Sequence, residues 1–98
     1  MAMVVMQDFP GGTQKQYDDV TAQLNLGGHS PKGNLVHTAG PIEGGWRVVD
    51  VWESQDALDA FLSVLGPMAH SAGIPQPQVT IWPLHNMLTP KAGYGLGG

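Results

Sequence analysis

The chain has 98 residues, the length of a single domain, and its 42% hydrophobic content excludes a disordered protein. No apolar run approaches the roughly 18 residues that a membrane-spanning helix needs, and a net charge of −4 without a basic cluster argues against nucleic acid or an anionic membrane as a partner. Cysteine is absent and the N-terminal residues MAMVVMQDF lack the pattern of an export signal, so we expect a cytoplasmic protein.

The first half of the chain predicts a strand, a helix and a second strand. Residues 3–8 (MVVMQD) are rich in apolar residues and precede a Pro-Gly-Gly turn, which is typical of a strand. Thr13 followed by Gln16 fits a capping box, and apolar residues at helical spacing then predict a helix over residues 13–26. Residues 34–39 (NLVHTA) predict the second strand, which we expect to end before a Gly-Pro pair.

The third strand and the second helix follow directly. Residues 46–53 (WRVVDVWE) are the strongest strand signal in the chain, and a glycine-rich turn predicts a hairpin between them and the second strand. Ser54 is a good cap for a helix with one apolar stripe. Pro67, one residue after Gly66, predicts a bend or break in that helix because proline lacks the backbone N–H.

A fourth strand and a tail complete the chain. Residues 78–87 (QVTIWPLHNM) predict the strand, and Pro83 within it favours an edge position or a bulge. We therefore expect one domain over residues 1–88 and a flexible glycine-rich tail over residues 89–98. The order β-α-β-β-α-β predicts a ferredoxin-like α+β fold, with a four-stranded antiparallel sheet and two helices on one face.

The other face of the sheet also needs a cover. Residues on both sides of the third strand are apolar, and two helices protect only one of them. The charged fraction of 12% is about half of the roughly 25% that is usual in soluble domains. We therefore expect a homodimer in which two sheets face each other as an eight-stranded barrel, with residues of the inward face lining a cavity between them.

Three short segments carry a resemblance to a known family. The strand VVDVWES at residues 48–54, the helix start at residues 56–58 and the Phe-Leu pair at residues 61–62 resemble the dimeric α+β barrel superfamily, in particular the antibiotic biosynthesis monooxygenase (ABM)-like proteins. The likeness covers residues 3–87. It implies a cofactor-independent monooxygenase that acts on an electron-rich aromatic or quinol-type molecule in the barrel cavity. The same superfamily includes non-oxidative cyclases and isomerases and non-catalytic ligand-binding proteins, so both remain alternatives.

Five residues are candidates for the site. We expect His37, Asp50, Trp46, Trp52 and His85 to face the barrel, where indole rings suit a flat aromatic ligand. His37 and Asp50 are the catalytic candidates, because neighbouring strands can bring a carboxylate against an imidazole and so create an oriented general base. Trp46, Trp52 and His85 are predicted to bind the substrate.

Each candidate also has a structural interpretation. The two tryptophans are also suited to a hydrophobic core, and a histidine on a strand is more often structural than catalytic. Asp50 has an alternative partner in Arg47, from its own chain or from a second one, in a purely structural ion pair.

No cofactor or metal is expected. The four histidines are scattered without the spacing of a metal site. Haem is a minor alternative, since haem-degrading relatives use a histidine late in the second helix, where this chain has His70. The accompanying Trp and Asn of those relatives are replaced by Phe61 and Gln7.

Overall fold

The computed structural model describes residues 1–91 and has the predicted order of elements. These are β1 (Met3–Pro10), α1 (Gln14–Leu24), β2 (Asn34–Ile42), β3 (Gly45–Trp52), α2 (Gln55–Ser71) and β4 (Gln78–Pro83). The strands form one antiparallel sheet in the order β2-β3-β1-β4, which confirms the ferredoxin-like α+β fold. Of the predicted tail, residues 89–91 have no regular secondary structure and residues 92–98 lie outside the described part of the chain.

The start of α1 is held by the predicted capping box. The Thr13 hydroxyl accepts a hydrogen bond from the Gln16 backbone N–H at 3.2 Å, and the Gln16 side chain accepts one from the Thr13 N–H at 3.1 Å. At the other end Asn25 adopts the left-handed conformation, with φ 52°. Asparagine tolerates this conformation better than most residues, so the helix ends two residues before the predicted limit.

Helix α2 begins as predicted but does not break. The Ser54 hydroxyl accepts a hydrogen bond from the Ala57 N–H at 3.1 Å and so caps the helix. Of the bend or break predicted at Gly66 and Pro67, the break is wrong, because the helix is continuous over 17 residues. Proline removes one backbone donor, but Met68 and Ala69 beyond it remain half-buried, and their packing holds the last turn in place.

Prolines also account for the shifted strand ends. β2 continues through Pro41 instead of ending at residue 39, and β4 ends at Pro83 instead of residue 87. Both are edge strands, where one side of the strand makes no ladder hydrogen bonds and a missing N–H can be tolerated. The edge position predicted for β4 is confirmed.

Both helices cover the same face of the sheet, and the core lies beneath them. Val5 of β1, Trp52 of β3 and Leu58 of α2 form its centre, and Trp52 is only 1% exposed. The Trp52 ring packs against Phe61 of α2 with centroids 5.3 Å apart. Burial of this aromatic pair joins α2 to the sheet.

This arrangement corrects the predicted orientation of the third strand. Trp46, Asp50 and Trp52 lie on the helix-covered face and not on the face that a partner sheet would meet, because they share one side of β3 with the buried core. The alternation of side chains along β3 correctly places these residues on one side of the strand. Both sides of the strand are apolar enough to be buried, however, so the alternation does not show which side the helices cover. Only the packing of α2 against Trp52 decides which face is inside.

The opposite side of the sheet, which we call the open face, is largely apolar. Its register positions are Val4, Met6 and Asp8 of β1, Val36 and Thr38 of β2, Arg47, Val49 and Val51 of β3, and Thr80 and Trp82 of β4. Trp82 is 41% exposed at the β4 edge of this face, and Val49 and Val51 near its centre are half-buried.

Candidate active site

A cavity of about 580 Å³ lies between the helix-covered face of the sheet and α1, together with the loop that follows α1. Its wall includes Tyr17 and Val20 of α1, and Phe61 and Leu65 of α2. This volume lies within the range of about 300–1,000 Å³ that is usual for small-molecule sites. The cavity lies within a single chain, whereas we expected one between two facing sheets.

His37 and Asp50 meet in the wall of this cavity. They are direct cross-strand partners on β2 and β3, and the antiparallel register turns both side chains to the helix-covered face. The distance from His37 Nδ1 to Asp50 Oδ1 is 2.6 Å. Asp50 is 6% exposed and the His37 side chain 33% exposed, so the carboxylate is buried behind an imidazole that reaches the surface of the cavity.

The alternative partner suggested for Asp50 is engaged elsewhere. Arg47 binds Asp8 with two hydrogen bonds, of 2.6 and 2.9 Å, on the open face of the sheet. The hydrogen bond from Arg47 lowers the pKa of the Asp8 carboxyl below its ordinary value. The two acids thus lie on opposite faces, and His37 is the observed partner of Asp50.

Tyr17 is a third member of this cluster and was not among the predicted site residues. Its phenolic oxygen lies 2.5 Å from His37 Nε2, and its ring is also packed at a tilt against Trp46. In the sequence Tyr17 only marks the apolar stripe of the first helix. Its hydroxyl could have indicated a role in the site, since a tyrosine on the buried side of a helix usually places that group against a polar partner.

Burial raises the pKa of the Tyr17 phenol above its ordinary value, and the negative charges of Asp50 and Asp18 act in the same direction. A hydrogen bond with Thr21 opposes them. The phenol therefore keeps its proton at neutral pH.

Trp46 and Trp52 also line the cavity, as does Asn34 at the start of β2. Asn34 is 7% exposed, and within residues 1–91 neither its amide nitrogen nor its amide oxygen has a hydrogen-bond partner. The same holds for the indole nitrogens of both tryptophans. Buried polar groups without partners are costly, so these three side chains are suited to a ligand that supplies hydrogen-bonding atoms.

The structure does not bring His85 to this group. It follows β4, is exposed, and is not among the described residues that line the cavity. The role predicted for it in substrate binding therefore gains no support from the geometry of a single chain.

His70, on which the haem alternative depends, is not among the residues that line the cavity. His70 lies in the last turn of α2 and is exposed, while its neighbour Ala69 lines the cavity. Over residues 1–91, no group of three or more histidine, aspartate or glutamate side chains is arranged to hold a metal ion. None of the described helices combines the length and apolar character needed to cross a membrane.

Comparison with solved structures identifies the fold. SnoaB from Streptomyces nogalater, described as a cofactor-independent oxygenase, superposes with a TM-score of 0.60 at 17% identity, over 91% of this chain and 97% of that one. The ActVA-Orf6 monooxygenase of Streptomyces coelicolor, solved with the ligand nanaomycin D, gives a TM-score of 0.55 at 20% identity, over 92% of this chain and 93% of that one.

A protein from Deinococcus radiodurans, provisionally described as an antibiotic biosynthesis monooxygenase, gives a TM-score of 0.58 at 8% identity, over 94% of this chain and all of that one. No protein-family model matches the chain, and neither does any curated protein. At these identities the likeness establishes the fold alone. The chain therefore has the fold of the antibiotic biosynthesis monooxygenase structures, as the sequence resemblance implied.

Proposed function

We propose that this protein is a cofactor-independent monooxygenase that deprotonates an electron-rich aromatic, such as an anthrone or a hydroquinone, and lets it react directly with molecular oxygen. The observation that carries the proposal is the contact of 2.6 Å between His37 and Asp50 in the wall of the cavity. A buried carboxylate accepts the Nδ1–H of the imidazole, which fixes the tautomer and makes the other nitrogen the basic one.

The remaining lining of the cavity supports an aromatic ligand with oxygen substituents. Trp46 provides an indole surface to the cavity, while Trp52 is only 1% exposed, and the N–H groups of both indoles are buried beside the cavity without a hydrogen-bond partner among residues 1–91. Asn34 is the cross-strand partner of Trp52, and Asp50 is two residues from Trp52, about 7 Å along the strand. A ligand of two or three fused rings spans that distance between the acid–base pair and the unpartnered polar groups.

The proposed reaction is balanced without a cofactor. With anthrone, a proton passes from the CH₂ group to the His37–Asp50 pair and leaves a carbanion that is stabilised as the phenolate. Oxygen adds to this carbon and the peroxide takes up the first proton; the second C–H bond and the O–O bond then break, one oxygen atom stays as the new carbonyl and the other leaves with both hydrogens as water. The CH₂ carbon loses four electrons and O₂ accepts four, so the protein has to supply only position, desolvation and proton transfer.

The solved structures lend support at the level of fold. One neighbour is described as a cofactor-independent oxygenase and another as a monooxygenase with a bound small molecule. The fold also serves other chemistry, so the proposal depends on the residues of the cavity and not on the likeness.

We also propose that the functional unit is a homodimer formed through the open face. Val49 and Val51 lie in the apolar centre of this face, and Trp82 is 41% exposed at its β4 edge. A second copy of the sheet would cover these residues. Light scattering should report twice the mass of one chain, and Val49→Lys should shift it to the mass of one. A monomeric wild type would contradict this part of the proposal.

Oxygen uptake with anthrone tests the activity. The purified protein should consume one O₂ per anthrone and form anthraquinone, and Asp50→Asn should lower the rate by about 100-fold or more. Asp56→Asn is the matched control, because it removes an exposed carboxylate from the start of α2 and should leave the rate unchanged. Turnover of anthrone without oxygen would indicate an isomerase or cyclase, and binding without turnover a ligand-binding protein; either result would reject the monooxygenase.

A further inference from the structure

The side chains of Tyr17, His37 and Asp50 form one continuous hydrogen-bonded line across three elements. The Tyr17 phenol on α1 contacts Nε2 of His37 on β2 at 2.5 Å, and Nδ1 of the same ring contacts Asp50 on β3 at 2.6 Å. The phenol and imidazole rings are nearly parallel, with an angle of 4° between their planes. All three residues line the cavity.

The positions of the protons follow from the chemistry of the groups. The Asp50 carboxylate can only accept, so His37 carries its proton on Nδ1 and donates it. In the neutral ring Nε2 then has a lone pair, and it accepts a hydrogen bond from the Tyr17 hydroxyl. The raised pKa of Tyr17, caused mainly by burial, agrees with a phenol that holds its proton until it is passed on.

This line has a consequence for the base. The lone pair of His37 Nε2 is occupied by the Tyr17 hydroxyl, so a substrate proton has no direct access to it. The phenolic oxygen of Tyr17 has two lone pairs, of which the Thr21 hydroxyl uses at most one, and the side chain lies in the cavity wall. We propose that Tyr17 is the catalytic residue that exchanges a proton with the substrate, and that His37 and Asp50 act behind it as positioning residues that store the proton.

The step involves only proton transfer. The acidic C–H or O–H bond of the substrate breaks, and its proton forms a new O–H bond on Tyr17. The proton already on Tyr17 moves to Nε2 of His37, and the electron pair stays on the substrate. The resulting imidazolium is stabilised by the buried charge of Asp50, in the way that the third member of a triad stabilises the second. The reverse transfer returns the proton.

This inference depends on the proposed function only for its substrate class, so its test separates proton transfer from oxygenation. Without oxygen, deuterium exchange at the CH₂ group of anthrone in D₂O measures proton transfer alone. The wild type should accelerate this exchange. Tyr17→Phe keeps the ring against Trp46, removes only the hydroxyl, and should lower the acceleration by about 100-fold or more. Ser63→Ala, which removes an exposed hydroxyl from α2, should leave it unchanged.

The positioning role has its own measurement. Asp50→Asn should lower the maximal exchange rate without changing the anthrone concentration that gives half of it, because the carboxylate does not touch the substrate. A merely structural role would disturb both quantities. Combining Asp50→Asn with Tyr17→Phe should cost little more than Tyr17→Phe alone, since residues that act as one unit are not additive.

Nitrogen-15 NMR of the His37 imidazole reports which ring nitrogen carries the proton, and it tests the hydrogen bonds from Tyr17 through His37 to Asp50 without any ligand. We expect a protonated Nδ1 and an unprotonated, hydrogen-bonded Nε2 on His37, and a clear change of the Nε2 shift in Tyr17→Phe. A protonated Nε2, or full exchange activity in Tyr17→Phe, would overturn the inference, and so would a wild type that fails to accelerate exchange. Exchange that requires Tyr17 but no oxygen uptake would support the proton relay and reject only the monooxygenase.

Discussion

The contact between His37 and Asp50 should couple these side chains by about 1.5–3 kcal/mol in the free energy of unfolding. The bond of 2.6 Å joins an N–H to a carboxylate, which makes it stronger than a bond between neutral groups. The carboxylate is 6% exposed and screened little by water and salt. The imidazole is one-third exposed, which favours the lower end of this range.

A double-mutant cycle measures this coupling. His37→Ala, Asp50→Ala and the double variant would be unfolded in urea at about pH 8, where an ordinary imidazole is neutral. His37→Ala also removes the contact with Tyr17, both in the wild type and in the Asp50→Ala background, so this loss cancels in the coupling energy. All proteins are compared at one chain concentration, because association would add to the apparent stability.

The control is the pair Lys15–Asp19 on α1. Its atoms are 2.7 Å apart, but it is exposed to solvent, so its coupling should be close to the experimental error. A coupling between His37 and Asp50 that is no larger than this control would refute the reasoning. It would mean that the two side chains are not held together in solution, and the proposed base would lose its orienting partner.

Three further predictions concern the framework of the site. Leu58→Ala should lower the free energy of unfolding in urea by about 2–5 kcal/mol, since Leu58 is buried against Trp52. The control Val64→Ala, at an exposed position of the same helix, should change it little. Equal effects of the two substitutions would contradict the assigned core. Thr13→Ala should cost about 1 kcal/mol by removing the cap of α1, and Thr13→Ser should retain most of it. Because the pKa of Tyr17 is raised in the folded state, mainly by burial, its contribution to stability should be lost as the pH rises above about 10, and Tyr17→Phe should flatten that loss in pH-dependent unfolding.

Local signals in the sequence were sufficient for the elements of the fold. The Thr13–Gln16 capping box, the Ser54 cap and the β-rich run at residues 46–53 each depend on neighbours within a few positions, so they can be read without tertiary structure. The contact between His37 and Asp50 was also predictable, because a hairpin brings residues of its two strands directly opposite each other.

The continuity of α2 was not predictable from the sequence. Pro67 removes a backbone hydrogen bond, which is a local effect, but the helix is maintained by packing of residues beyond it. Dependence on tertiary structure also explains why the predicted ends of β2 and β4, which lie near prolines, differ from the observed ones. Whether a strand tolerates proline depends on its position in the sheet, which is a property of the whole fold.

By itself, the sequence determined the order of the elements, the ferredoxin-like sheet and the contact between His37 and Asp50 across the hairpin. The tertiary structure decided which face of the sheet is covered, because both faces of β3 are apolar and only the docking of α2 on Trp52 distinguishes them. It also decided that Tyr17 joins His37, since these residues are 20 positions apart and meet only when α1 packs over the sheet. Contacts of that kind depend on how separate elements pack, and no local pattern in the sequence records them.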